Sequence, residues 1–167
     1  EERTREFAAV LERARGELDR AFVIQQKLDD SEPEGERRRR DWAKDIRSLL
    51  FATTTPPYAE KLNAALVGAA AQLPLEIRAA DLTGSPRVGL TALLQAVDAV
   101  RGSGGAALVA IADCRLAAPE GKAEQQGGDA AVAFVVGADP IAEIVASASV
   151  TREFLDTWRA PGERFAH

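Results

Sequence analysis

Apolar residues at Phe7, Val10, Leu11, Ala14 and Leu18 recur at helical spacing, and Phe22, Val23 and Leu28 continue the pattern less regularly. Residues 4–29 therefore read as one or two helices. Pro33 and Gly35 lie among acidic residues, which makes 29–36 a turn or linker, and 41–48 reads as a short helix. The grammar changes at Ser48. Leu49-Leu50-Phe51-Ala52-Thr53 is a short apolar run closed by Pro56-Pro57, as expected of a buried strand followed by a loop. An alanine-rich helix over 58–72, a strand over 76–80 and a loop over 81–86 follow. Ser85-Pro86 predicts a helix start, with serine as N-cap and proline in the first turn, where its missing N–H costs nothing. Val88, Ala92, Leu93, Ala96, Val97 and Val100 form the buried face of that helix, and the glycines between 102 and 105 stop it. Residues 106–112 are a nearly uninterrupted apolar strand, 129–136 a second after a polar loop, and 141–150 a fifth strand for the sheet as a whole. Strands alternating with helices, then strands with no helix between them, make a layered α/β plan.

Composition narrows the picture. A chain of 167 residues suits one domain, which at this size buries roughly 70% of the surface its unfolded form exposes. With 46% apolar and 28% charged residues it has the makings of a core rather than of a disordered segment. The net charge of −5 offers no footprint for nucleic acid, and the one basic run, Arg37 to Arg40, is flanked by Glu34, Glu36 and Asp41 as on a solvated helix face. No apolar stretch reaches the roughly 18 residues of a membrane span, and the first six residues do not read as a signal peptide, so a cytoplasmic protein without membrane contact is expected. The single cysteine, Cys114, and the single histidine, His167, leave no internal disulfide, cysteine-rich zinc site or histidine-based catalytic pair. No metal and no cofactor are expected. Methionine is absent throughout, so Glu1 is not expected to be a native translation start.

Four segments in order carry a family resemblance. Phe51-Ala52-Thr53-Thr54-Thr55-Pro56-Pro57-Tyr58 with Lys61-Leu62-Asn63 resembles the loop after the second strand of bacterial and archaeal 3-hydroxy-3-methylglutaryl-CoA synthase-like proteins. Arg87-Val88-Gly89-Leu90-Thr91-Ala92-Leu93 resembles the start of their central buried helix. Glu124 to Phe134 resembles their glycine-rich approach to the next strand, and Asp156-Thr157-Trp158-Arg159 a later segment. The resemblance covers about residues 46–160. It implies a thiolase-like layered α/β/α/β/α half-fold, with a mixed five-stranded sheet and a buried central helix. Its division is a helical N-terminal segment over 1–36 and a thiolase-like N-terminal half domain over 37–167. Gly35-Glu36-Arg37 also looks like a family piece, but Arg38-Arg39-Arg40-Asp41 follows at once where the family has an acidic loop and a further helix. A deletion or missing stretch near 38 would explain this, and the family's glycine-rich first strand is not recognisable in residues 1–17.

The resemblance also implies a chemistry. In such enzymes a cysteine at the amino end of the central helix attacks the acyl-CoA thioester, favoured as thiolate by the helix dipole. The matching position is Pro86, which has no nucleophile, and no histidine stands near to activate Ser85. The family's general acid/base glutamate matches Thr54, which cannot exchange a proton near neutral pH as a carboxylic acid can. The partner histidine and the oxyanion-hole asparagine belong to the second half of the fold. Cys114 at a strand's carboxyl end could stand in as nucleophile, or be a small half-buried residue ending a core strand; with no base beside it in sequence, the second is preferred. Gly127-Gly128-Asp129 has neither the length nor the following lysine of a P-loop and reads as a tight turn. Two functions follow. One is an acyl-CoA condensing acyltransferase, degenerate or incomplete in this chain, with acyl-CoA as substrate. The alternative is a non-catalytic subunit or scaffold that dimerises with or supports an active acyl-CoA enzyme. The resemblance further implies a homo-oligomer, paired through an edge strand near that of 106–112, and a zinc-ribbon/OB-fold companion protein.

Overall fold

The structure, a computed structural model, describes residues 42–138, 140–153, 158–160, 162–163 and 165. The helices expected over 4–29, the linker at 29–36 and the gap near 38 lie outside the described residues. Two compact units are present, one including 42–114 and 129–138, the other including 115–128 and the described residues from 140 onward.

The first unit is built on a sheet. Strand β1 (Ile46–Ala52) leads through a loop to helix α1 (Ala64–Ala70), strand β2 (Arg78–Leu82), helix α2 (Val88–Ser103), strand β3 (Ala106–Asp113) and, later, strand β4 (Ala130–Val136). The order across the sheet is β2-β1-β3-β4. β1 runs parallel to both β2 and β3, whereas β4 returns antiparallel to β3, with Val109 opposite Phe134 and Asp113 opposite Ala130. The apolar runs without alternation at β1 and β3 reflect burial on both faces of these inner strands. Leu49, Phe51, Leu108 and Ala112 pack with Ala64 and Val67 of α1 on one side. Ala52, Ala107 and Val109 pack with Val88, Ala92 and Ala96 of α2 on the other. Small residues let α2 lie close: a Cβ at Gly89 would sit 3.0 Å from Cδ1 of Ile111. Turning into β3, Gly105 takes φ +73°, and a Cβ there would meet Cγ of Arg47 at 2.6 Å and the carbonyl oxygen of Asp45 at 2.9 Å, so only glycine fits without a shift.

Several expectations need correction. The described residues form a four-stranded mixed sheet, not five strands, because 141–150 makes no ladder. That segment is exposed in the second unit, with Ile141 97% and Val145 90% accessible; β-propensity alone makes no strand without a neighbouring backbone to bond. α2 is not enclosed, since Leu90 is 54% exposed and Thr91, Gln95 and Asp98 also face outward. In place of five layers, the first unit shows α1, the sheet and α2, and no second sheet among the described residues lies over α2. The strand of 106–112 is interior, and the edge strand beside it is β4, as the expectation of an edge strand near 106–112 allows; the other edge is β2.

Local boundaries also moved. Among the described residues of the short helix expected over 41–48, 42–45 are helical, and β1 begins at Ile46, whose fully buried side chain joins the core beneath α1. The helix expected over 58–72 is confined to α1, for reasons given with the site below. α1 closes at its far end with the Leu73 N–H on the Gly68 carbonyl (2.9 Å) and the Gln72 N–H on that of Ala69 (3.2 Å), which holds Gln72 at φ 54°. α2 starts at Val88, two residues after Pro86. The Ser85 hydroxyl accepts the Arg87 N–H at 3.2 Å before the helix rather than capping it from within. In the second unit, the segment expected as polar loop contains a short helix, α3 (Lys122–Gln126), whose Glu124 side chain accepts the Glu120 N–H at 2.6 Å.

Candidate functional site

Because β1, β2 and β3 are parallel, their carboxyl ends share one rim of the sheet, the usual ligand-binding rim of open α/β sheets. Thr53-Thr54-Thr55 leave β1 there, Thr83 to Pro86 leave β2, and Asp113-Cys114 end β3. The antiparallel β4 starts at the same rim, so Asp129 arrives there too. The topology thus collects Thr54, Pro86, Ser85 and Cys114 at one end of the first unit.

The centre of this rim is one carboxylate oxygen. Oδ1 of Asp113 accepts the hydroxyls of Thr53 (3.1 Å), Thr54 (2.9 Å) and Thr55 (3.3 Å) and the backbone N–H of Thr54 (2.6 Å). The two buried threonines are used twice: Thr53 Oγ1 also accepts the Thr55 N–H at 2.9 Å, and Thr55 Oγ1 accepts the Cys114 N–H at 3.0 Å. Each hydroxyl so held donates toward the carboxylate, which ties the loop after β1 to the end of β3. Hydrogen bonds to a charged acceptor are the stronger kind, and a well-satisfied network of them fixes a geometry. Among the described residues no buried side-chain nitrogen or oxygen lacks a partner.

A second carboxylate orders the next loop. Asp81 on β2 accepts the Asn63 N–H (2.7 Å), Nδ2 of Asn63 (2.9 Å) and the Ala64 N–H (2.7 Å), so it caps α1 from a neighbouring strand. Asn63 in turn accepts the Tyr58 N–H at 3.1 Å and donates to the carbonyls of Tyr58 (3.0 Å) and Lys61 (2.9 Å). This binding pulls 58–63 into a turn and delays the helix to Ala64. Lys61 lies over the Tyr58 ring, 4.6 Å from its centroid.

Pro86 stands exposed at the approach to α2 and brings no reactive group to the rim. Thr54 is present as a hydroxyl committed to Asp113. Cys114 is half-buried, and its thiol donates to Oδ2 of Asp129 at 3.4 Å. Sequence reasoning read Asp129 only as part of a turn and missed it as the partner of Cys114, fifteen residues away. Only the β3–β4 register reveals it, since extending the Asp113–Ala130 pairing by one step sets Cys114 against Asp129. Reactive cysteines sit in electropositive surroundings, whereas a carboxylate faces this sulfur, which favours the structural reading of Cys114. In the second unit, Gly127 closes α3 with its N–H on the Ala123 carbonyl at 2.8 Å, and a Cβ there would lie 2.5 Å from that oxygen. The glycine serves a tight turn. Among the described residues no group of histidine, cysteine and acidic side chains is arranged to hold a metal ion, and no helix is long and apolar enough to cross a membrane.

No family model matches the chain. Two curated proteins do: the hydroxymethylglutaryl-CoA synthase of Thermoplasma acidophilum is 33% identical over 125 residues, and that of Thermoplasma volcanium 32% over 125 residues. Each alignment takes in 73% of this chain and 35% of the relative, so the chain spans about a third of the length of the curated proteins it matches. Among solved structures, an HMG-CoA synthase complexed with CoA superposes with a TM-score of 0.70 at 20% identity, over 76% of this chain and 34% of that one. MvaS in complex with 3-hydroxy-3-methylglutaryl coenzyme A gives 0.61 at 26% identity, over 77% and 32%. A 3-oxoacyl-(acyl-carrier-protein) synthase III gives 0.52 at 20% identity, over 61% of this chain and 31% of that one, a likeness of fold. With the parallel strands, the antiparallel return of β4 and the ordered segments at 51–63, 87–93 and 124–134, these matches make the chain a thiolase-superfamily protein that resembles hydroxymethylglutaryl-CoA synthase over about a third of that enzyme's length.

Proposed function

We propose that the chain serves acyl-CoA condensing chemistry of the hydroxymethylglutaryl-CoA synthase type as a non-catalytic, thiolase-like part. It keeps the fold and the rim but not the reacting groups. The observation that carries this reading is the state of Thr54: at the position of the family's glutamate stands a hydroxyl whose proton points to Asp113 at 2.9 Å. Acyl transfer needs a nucleophile, a proton acceptor and donors for the tetrahedral oxyanion. Pro86 cannot supply the first, and an alcohol held by an anion is a poor substitute for the second. The rim is organised as a structural knot.

In the same reading the chain works as a cytoplasmic homo-oligomer beside an active acyl-CoA enzyme, with a zinc-ribbon/OB-fold protein as companion. The five-stranded sheet and enclosed central helix of the whole fold would be completed in that setting. Acyl-CoA is the ligand class, and no cofactor is required of this chain.

The reading is tested by returning the thiol. A Pro86→Cys chain incubated with radiolabelled acetyl-CoA should acylate at position 86 no faster than a cysteine in a short peptide, because a sulfur alone is one of several required groups. Rapid labelling would mean that the rest of the site is intact and would overturn the scaffold reading.

A further inference from the structure

We draw no further inference here: the strongest candidate, the apolar surface patch that Ile141, Ile144, Val145 and Val150 expose along 141–150 in the second unit, carries nothing because nothing in the structure shows what covers it.

Discussion

An Asp113→Ala chain should lose about 3 kcal/mol of stability, because one substitution removes the acceptor of a whole cluster and strands its donors. Thr53 is fully buried and Thr55 nearly so, so their hydroxyls and the Thr54 N–H have little water to turn to. For a domain of this size the loss amounts to a fall of roughly 6–12 °C in melting temperature. Urea unfolding at an unchanged m-value is the measurement. Asp113→Asn keeps an oxygen at the same place without the charge, so it should recover part of the loss. If both variants unfold within about 0.5 kcal/mol of the parent, the rim is not held by this carboxylate.

Phe51→Ala should cost about 3–5 kcal/mol, the largest effect expected of any core truncation here. Phe51 is fully buried in β1, the strand with neighbours on both sides, and packs among Leu49, Leu108, Ala64 and Val67. The helix over it presents small residues, which cannot collapse far into a cavity. Phe51→Leu keeps much of the volume and should cost distinctly less. Leu75→Ala is the surface control: at 94% exposure it should change stability by no more than about 0.5 kcal/mol. Equal losses from Phe51→Ala and Leu75→Ala would mean that β1 is not the centre of the core.

What could be read from the sequence was what depends on burial. The runs at 49–53 and 106–112 are apolar because these inner strands are covered, and the run at 129–136 is apolar although β4 lies half-exposed at the sheet edge; all three proved to be strands within a few residues. The spacing of Val88, Ala92 and Ala96 likewise gave the covered face of α2. Features set by a partner distant in the chain escaped. Nothing near 58–63 announces that Asp81 will hold Asn63 and postpone the helix, and nothing near Cys114 announces Asp129. The run at 141–150 has the composition of a strand, but composition cannot supply the neighbouring backbone. At the rim, Thr54 and Pro86 were singled out only through the family pattern. The part played by Asp113, the residue before Cys114, needed the parallel register of β1 and β3 to emerge.

The central claim, that this chain keeps a thiolase-like fold without a nucleophile where the family has one, is tested most directly on the unaltered protein. The chain is incubated with radiolabelled acetyl-CoA, denatured, digested, and its peptides mapped for covalently retained label. The account predicts no label above background on any peptide from the rim, since Pro86 offers no nucleophile, Thr54 is committed to Asp113, and the Cys114 thiol faces a carboxylate. Stoichiometric label on Ser85 or Cys114 would contradict it, by showing that the nucleophile has moved rather than gone.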